Sequence, residues 1–568
     1  MSSPIALATP EYNHYIPDNP VNPLTRSALV NPPDPSSPDN YRLVPPLGLG
    51  YIASHARRHG HHVDLFDFSL DLAPGLEFLE KVGLFDRYDA YGFSTYSDTF
   101  SHTIECVRLV RQRCPAALIV LGGYHASLLH AEVIDDFAEV DIVVRNSGEE
   151  PFLELLHALS NNNLRKALAN IAGVTWRNDD RRAVVNPLRT GTLNQDHLAF
   201  PVQEQRYRSG KYRTHVDAKR GSIKRTLNMV SSRGCPKRCT FCSIVLLNPL
   251  WRARSVESLI AEVSYNYTFR TFEHIAFQDA NFFVNPKRSL SFAHALQDFN
   301  PDITWSGTAT PDHVVRHAEV LDELGRLNCS YLELGIESGS DETLERFGKG
   351  TTVDVNERAL ALLERAGISV GLDFIMFEPE ANLSDVRANL EFLLRNELFG
   401  EWPSEFLFQE MQLYPGTVGR ERCAKKLGIR YAPHEVPPTP FFDPDVRSAF
   451  EAARAYHNSH QVRTNWLLKR LYEAVDSVLL SEQRDRVAGT SVQSLCQRAY
   501  RTIIRLRHSA FEFLVAACSK PADVSTYDCS SVVALHNEAA LLLEEFRRVN
   551  MEYGIMPAFR RLEHARFI

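Results

Sequence analysis

The sequence has neither a long apolar run nor an excess of positive charge. Its 568 residues contain 62 Lys and Arg against 70 Asp and Glu, a formal net charge of -8. This balance excludes the basic footprint of a nucleic-acid-binding protein. No stretch of about 18 apolar residues is present to form a spanning helix. The first 23 residues are polar, without the basic-then-apolar layout of a signal peptide. We therefore expect a cytoplasmic protein of several domains, without membrane or nucleic-acid partners.

Cysteine is scarce, and its distribution is uneven. The chain has ten cysteines, and a reducing compartment disfavours disulfides between them. Seven are scattered and suit small buried apolar positions. The other three are crowded into a short segment with the spacing Cys-x3-Cys-x2-Cys, at Cys235, Cys239 and Cys242. This triad requires a chemical explanation.

Short apolar strands alternate with helical segments along two stretches of the chain. The first, 27–160, predicts a doubly wound, Rossmann-like parallel sheet of the α/β class. The second, 226–430, predicts a partial (β/α)6 TIM barrel. We expect an irregular extension over 1–26, a linker with a hairpin over 161–225, and an α-helical C-terminal domain over 431–568. The six barrel strands are predicted at 227–231, 274–278, 303–306, 331–336, 370–377 and 406–413.

The cysteine triad directly follows the first barrel strand. Thiolates are the ligands of iron–sulfur clusters. Three of them on one loop can hold three irons of a 4Fe-4S cubane and leave the fourth iron open to a substrate or cofactor. The alternatives are a zinc site completed by a distant fourth ligand, and coincidence. Zinc sites more often use paired Cys-x2-Cys units, and no second pair occurs.

The segment Ser231-Ser-Arg-Gly-Cys-Pro-Lys-Arg-Cys-Thr-Phe-Cys242 resembles the signature of the radical SAM (S-adenosyl-L-methionine) superfamily. The resemblance implies that Cys235, Cys239 and Cys242 hold the cluster and that the backbone of Phe241 lies against the adenine of SAM. Four further segments resemble family elements: one containing Asp279, one containing Glu337 and Ser338, the Lys-Gly-Thr turn Lys349-Gly-Thr-Thr352, and Leu413-Tyr-Pro-Gly-Thr417. These imply a SAM-pocket role for Glu337 and Ser338, and a role on the substrate side for Asp279 and Asn281. Phe377-Glu-Pro-Glu380 departs from the family's glycine-rich turn.

The first sheet lacks a Gly-x-Gly-x-x-Gly, so a dinucleotide is not indicated. Its segments Val44-Pro-Pro-Leu-Gly-Leu-Gly50, Gly122-Gly-Tyr-His-Ala-Ser127 and Ser147-Gly-Glu-Glu150 resemble the cobalamin-binding domain that precedes many radical SAM barrels. Glycines at strand ends would let a large corrin approach the backbone. The Asp-x-His-x-x-Gly motif of cobalamin mutases is absent, so no histidine is identified as a lower cobalt ligand. The resemblance implies a cofactor-binding set of Gly122, Gly123, His125, Ser127, Ser94, Thr95, Arg42 and Tyr41, the last two over the lower face of the corrin.

Together the two resemblances imply a cobalamin-dependent radical SAM methyltransferase. In such enzymes a 5′-deoxyadenosyl radical activates an unactivated carbon, which then takes a methyl group from methylcobalamin. We expect a small-molecule substrate of the natural-product type and an electron donor such as flavodoxin or ferredoxin. The alternatives are a cyclase or ring-rearranging enzyme on the same cofactors, a domain that has lost its cobalamin, and a non-catalytic cobalamin sensor. A methylthiotransferase is disfavoured, because only two cysteines precede the linker.

Overall fold

The structure is a computed structural model of the chain. It describes residues 18–33, 44–68, 79–80, 82–85, 88–189, 194–203, 215–217, 222–398, 407–479, 490–519 and 529–552.

The N-terminal unit is built on a seven-stranded sheet with the strand order β2-β1-β3-β4-β5-β6-β7. Its first five strands are parallel and its last two are antiparallel. The order 2-1-3-4-5 is that of flavodoxin-like doubly wound sheets, which bind ligands where the order reverses. The predicted doubly wound sheet is thus confirmed. The strands are β1 (Arg26–Asn31), β2 (His62–Asp67), β3 (Ala90–Thr95), β4 (Leu118–Gly123), β5 (Ile142–Val144), β6 (Val174–Arg177) and β7 (Ala183–Val185).

The hairpin expected in the linker is part of this sheet. Strands β6 and β7 pair with each other, and β6 pairs with β5, so the sheet continues beyond residue 160. Helices cover both faces of the sheet, and each face carries its own apolar cluster. These helices are α1 (Leu47–Arg58), α2 (Phe100–Arg113), α3 (Tyr124–Leu128), α4 (His130–Asp136), α5 (Glu149–Ser160) and α6 (Leu164–Ala167). Two short strands follow, β8 (His215–Asp217) and β9 (Ser222–Lys224), and form a separate ribbon.

The second unit is an open parallel barrel. Its five-stranded sheet runs in chain order through β10 (Thr226–Met229), β13 (His274–Phe277), β14 (Thr304–Ala309), β15 (Cys329–Glu337) and β16 (Ser369–Phe374). Between β10 and β13 lies an antiparallel ribbon of β11 (Ser232–Arg233) and β12 (Arg252–Ala253).

The sixth predicted barrel strand is wrong within the described residues. There the segment pairs with the barrel through an isolated parallel bridge between Phe377 and Glu410 and forms no strand. The Gln409 carbonyl accepts hydrogen bonds from the amides of both Met376 and Phe377. Pro379 follows two residues later and has no N–H to continue a ladder. Phe406, the first residue of the predicted strand, lies outside the described residues.

Helices surround the barrel and continue into an α-helical C-terminal part. The barrel helices are α7 (Ile244–Leu247), α8 (Val256–Phe269), α9 (Pro286–Phe299), α10 (Pro311–Arg316), α11 (Leu321–Arg326), α12 (Asp341–Arg346), α13 (Val353–Arg365), α14 (Leu383–Arg395) and α15 (Val418–Leu427). The C-terminal helices are α16 (Pro444–Tyr456), α17 (Val462–Leu479), α18 (Thr490–Ser519) and α19 (Ser530–Glu552).

The C-terminal helices contribute to two separate apolar clusters. Residues of α16 and of the C-terminal half of α18 join the barrel core, whereas α17, α18 and α19 share a separate cluster. This matches the predicted α-helical C-terminal region. Within the described part of the chain, none of the helices combines the length and apolar character needed to cross a membrane.

Candidate active site between the two sheets

The cysteine loop is closed at its base by the β11–β12 ribbon, whose strands pair Ser232 with Ala253 and Arg233 with Arg252. Gly234 follows with φ +86°, and a Cβ there would collide with the carbonyl of Leu250. Only glycine fits this close backbone approach. The amide of Cys235 then donates to the Asn248 carbonyl at 3.3 Å. These backbone contacts fix the conformation at the start of the cysteine loop.

The three predicted cluster ligands lie on this loop within electrostatic range of one another. Cys235 and Cys239 are buried, Cys242 is half-buried, and all three thiols are free. Burial raises the pKa of Cys239 to about 11, although nearby Lys349 opposes this shift. Burial also raises the pKa of Cys242, against hydrogen bonds from the backbone amides of Ile244 and Val245. Both thiols are therefore protonated at neutral pH until a metal displaces their protons.

The donor chemistry of the loop suits an iron–sulfur cluster. Cys235, Cys239 and Cys242 supply three thiol donors from one loop, and a cubane binds each thiolate to a different iron. Three such ligands leave the fourth iron open to a further ligand. The triad therefore fits the cluster that its spacing predicts.

A buried ion pair lies beside Cys239. Glu337, at the end of β15, accepts a hydrogen bond from Lys349 Nζ at 2.7 Å. Glu337 has φ +66°, a left-handed conformation that is rare and costly for a residue with a side chain. Burial lowers the pKa of Lys349, but attraction to Glu337 and the hydrogen bond to it outweigh burial, and the net pKa lies above its ordinary value. The sequence predicts Glu337 as a site residue but gives no role to the Lys349 side chain.

The end of the cysteine loop is fixed to the barrel. The amide of Thr240 donates to the Phe347 carbonyl at 2.9 Å, and Gly419 donates to the Thr240 carbonyl at 2.9 Å. The ring of Phe241 meets that of Phe347 edge to face, with centroids 5.0 Å apart. These contacts fix the backbone around Phe241. Its predicted contact with adenine stays a prediction.

Two predicted site residues bond to the protein itself. Asp279 is buried and accepts hydrogen bonds from the amide of Ser231 at 2.7 Å and from the hydroxyls of Ser231 and Ser232. Burial raises its pKa, and these hydrogen bonds oppose the shift. Ser338 donates to Asn389 Oδ1 at 2.7 Å. In the structure, Asp279 and Ser338 thus stabilise strand ends.

Asn281 differs from these two residues. It is buried, and neither its side-chain nitrogen nor its side-chain oxygen has a hydrogen-bond partner among the residues that the structure describes. A buried amide without partners is costly. The predicted position of Asn281 on the substrate side is compatible with this unused bonding capacity, and the role stays a prediction.

A cavity of about 600 Å³ lies between the N-terminal sheet and the cysteine loop. One wall consists of the carboxyl ends of the parallel strands, where doubly wound sheets bind ligands. The opposite wall comes from the barrel side. Lining residues include Asn31, Ser94, Gly122, Gly123, Ser127 and Glu149 from the sheet side, and Ser232, Arg233, Gly234, Ile244 and Gln278 from the barrel side.

The sheet side of the cavity has room for a large planar ligand. Gly122 and Gly123 line it, and Gly123 has φ +92° and ψ -174°, a region open essentially only to glycine. The hydroxyl-bearing Ser94 and Ser127 also face the cavity. The volume lies within the range of ordinary cofactor sites. These features fit cobalamin as the occupant.

Thr95 and His125 do not line this cavity. The Thr95 hydroxyl donates to the Gly122 carbonyl at 2.7 Å and accepts from the Ala126 amide at 2.9 Å. The fully buried His125 bonds to Ser97 at 3.0 Å and to His434 at 3.1 Å. Both therefore stabilise the edge of the sheet, and their predicted cofactor-binding role stays a prediction.

Tyr41 and Arg42, predicted over the lower face of the corrin, lie outside the described residues. Residues 44–46, which begin two positions after Arg42, line the cavity. Their cofactor-binding role stays a prediction.

Sequence reasoning missed the contacts that join the two walls. Arg233 donates to Glu149 Oε1 at 2.5 Å and lies over the ring of Tyr51. Burial raises the pKa of Glu149, but attraction to Arg233 outweighs burial, and the net pKa is lowered. Two sequence features contain these residues: Arg233 immediately precedes Gly-Cys, and Glu149 lies in a Gly-Glu-Glu segment that follows a buried strand. Neither signal indicates that the two segments meet.

Comparison with known proteins identifies two domains. The family model "Radical SAM superfamily" matches residues 229–393, and the model "B12 binding domain" matches residues 41–156. The first match covers the cysteine loop and most of the barrel, and the second covers the glycine-rich edge of the N-terminal sheet. The chain is therefore a radical SAM enzyme. With its B12-binding domain, it is a cobalamin-dependent radical SAM enzyme.

Several proteins are similar in sequence to this chain over more than half of its length. An uncharacterised methyltransferase of Pyrococcus horikoshii is 27% identical over 376 residues, 66% of this chain and 77% of that protein. An anaerobic magnesium-protoporphyrin IX monomethyl ester cyclase of Synechocystis is 26% identical over 60% of this chain and 67% of its own. A hopanoid C-3 methylase of Methylococcus capsulatus is 25% identical over 58% of this chain and 60% of its own.

Two solved structures share the fold. The cobalamin-dependent S-adenosylmethionine radical enzyme OxsB, with aqua-cobalamin and S-adenosylmethionine bound, matches 94% of this chain and 81% of its own, with TM-score 0.69 and 17% identity. The radical S-adenosylmethionine methyltransferase TsrM of Kitasatospora setae matches 66% of this chain and 71% of its own, with TM-score 0.53 and 17% identity. The match to OxsB includes the C-terminal helices, because it spans nearly the whole chain.

Proposed function

We propose that this enzyme is a cobalamin-dependent radical SAM methyltransferase that methylates an unactivated carbon of a small, natural-product-type molecule. The observation that carries the proposal is the cavity of about 600 Å³ shared by the glycine-rich sheet edge and the cysteine loop. A corrin on the sheet and a cluster on the loop would face the same space. Both cofactors could then act on one substrate.

When bound, the cofactors supply the reaction: cobalamin relays a methyl group from one SAM, and the cluster reductively cleaves a second SAM to start radical chemistry. The chain binds and orients them. Cys235, Cys239 and Cys242 would hold the cluster, and Gly122, Gly123, Ser94 and Ser127 would border the corrin.

The buried Lys349–Glu337 pair would place one positive and one negative charge beside the cluster, 2.7 Å apart. These are the charges that complement the carboxylate and the ammonium group of SAM's methionine part. The Asp279 contacts with Ser231 and Ser232 would keep the ribbon next to Cys235 in place.

The test is a product balance. The anaerobically reconstituted enzyme, supplied with cobalamin, a reductant and methyl-labelled SAM, is incubated with candidate small molecules. A methyltransferase consumes two SAM per turnover, so S-adenosylhomocysteine and 5′-deoxyadenosine should form in equal amounts, and the label should appear on carbon. Formation of 5′-deoxyadenosine and product without S-adenosylhomocysteine would contradict methyl transfer.

A cyclase or ring-rearranging activity is the second candidate, favoured by the 26% identity to the Synechocystis cyclase. Such a reaction transfers no methyl group, so the same product balance separates the two candidates. We further propose a flavodoxin- or ferredoxin-type electron donor and a cytoplasmic location. Reduction of the cluster by purified flavodoxin would test the donor.

A further inference from the structure

Arg233 connects the cysteine loop to the N-terminal sheet. Its NH2 group donates to Glu149 Oε1 at 2.5 Å, and its NH1 group approaches Ser147 Oγ at 3.3 Å. Its guanidinium also lies 5.3 Å from the ring centroid of Tyr51. Ser147, Glu149 and Tyr51 all belong to the B12-binding domain. A single side chain at the base of the cysteine loop therefore contacts three residues of that domain.

The two carboxylate oxygens of Glu149 have different surroundings. Its Oε1 is occupied by Arg233, whereas its Oε2 has no hydrogen-bond partner in any other residue that the structure describes, although Glu149 is only 2% exposed. The side chain also lines the cavity between the two walls. A buried carboxylate oxygen without a donor is costly. A ligand that brings an N–H donor into the cavity would remove that cost.

We propose that the Glu149 carboxylate accepts a hydrogen bond from a side-chain amide of bound cobalamin and that Arg233 holds this carboxylate in position. The inference rests on the proposed function, since it requires cobalamin in this cavity. A corrin carries primary amides on its periphery, and a carboxylate is a strong acceptor for their N–H groups. Arg233 compensates the charge of Glu149, so a neutral ligand suffices.

The same ion pair connects the cofactor pocket to the cluster. Arg233 belongs to the β11–β12 ribbon that closes the cysteine loop, and Cys235 follows two residues later. Any shift of Glu149 towards the bound corrin acts on Arg233 and thus on the base of the loop. Arg233 is a positioning residue. We therefore expect cobalamin binding in the cavity to change the environment of the cluster.

The experiment compares full-length, anaerobically reconstituted variants. Hydroxocobalamin is titrated into wild type, E149Q, E149D and R233K, and the Kd is read from its visible absorption. The matched control is E154Q, the same substitution on the same helix, at an exposed ion pair with Arg189. Iron content and the thermal midpoint of each variant show whether it is folded. The EPR spectrum of the reduced cluster is recorded with and without cobalamin.

We expect E149Q to bind cobalamin about tenfold more weakly, because it loses one charge-assisted hydrogen bond. The Kd of E154Q should be unchanged. E149D should lie between them. Cobalamin should change the cluster EPR spectrum of wild type but not that of R233K. An E149Q variant that is folded and binds cobalamin like wild type would overturn the inference and leave the proposed function intact. Wild type that binds no cobalamin would overturn both.

Discussion

Lys349 Nζ lies 2.7 Å from Glu337 Oε1, and the pair is buried beside the cluster cysteine Cys239. A Cβ at Gly335 would come within 2.6 Å of Lys349 Nζ and 3.0 Å of Glu337 Oε1. Glycine at that position therefore makes room for the pair on β15.

Replacing Lys349 with Met would leave the Glu337 carboxylate buried without its counter-charge. Removal of one partner from a buried pair costs about 3–5 kcal/mol. We expect K349M to lower the free energy of unfolding by this amount in a urea titration. K425M, at an exposed lysine, should change it by less than about 0.5 kcal/mol. Equal free energies of unfolding for K349M and K425M would show that the Lys349–Glu337 pair does not stabilise the fold.

Gly123 combines a glycine-only conformation with close contact. Its φ is +92° and its ψ is -174°, and a Cβ there would lie 2.6 Å from the Thr95 carbonyl oxygen. We expect G123A to cost about 3 kcal/mol of unfolding free energy. Gly367 also has a positive φ, +72°, but its Cβ would meet nothing within 4 Å, so G367A should cost about 1–2 kcal/mol. A G123A cost no larger than that of G367A contradicts a tight approach of β3 to β4.

His125 should make stability depend on pH. Its pKa is lowered to about 3, mainly by burial and further by the neighbouring His434 and Arg420. The unfolded chain binds a proton near pH 6.5. Between these values the unfolded state holds more protons, so stability is complete above pH 6.5 and decreases as the pH falls towards 3.

The slope from one such histidine is at most about 1.4 kcal/mol per pH unit. We expect H125N to reduce the loss of thermal midpoint between pH 7 and pH 5. H102N, at a more exposed histidine, should leave it unchanged. His61 and His536, with pKa values lowered by burial to about 4, should maintain a residual slope in both variants. The same pH profile in H125N and wild type would remove His125 from this explanation.

Local patterns predicted much of the fold and part of the site. The Cys-x3-Cys-x2-Cys spacing identified the cluster loop, and the glycines after a buried strand identified the open edge of the sheet, because both signals lie within a few residues. Contacts between distant segments could not be predicted in this way. Arg233 and Glu149 are 84 residues apart and belong to different domains. Whether Thr95 faces the cavity or the adjacent strand depends on strand pairing, and His125 bonds to His434, 309 residues away.

Cluster-dependent cleavage of SAM at Cys235, Cys239 and Cys242 is tested most directly by measuring 5′-deoxyadenosine from the anaerobically reconstituted enzyme with dithionite. Wild type should contain about four irons per chain and release 5′-deoxyadenosine. C239A should lose the cluster iron and release none, whereas C106A, at a buried cysteine of the N-terminal core, should behave as wild type. Release by C239A at the wild-type rate, or zinc in place of iron in wild type, would contradict a radical SAM cluster on this loop.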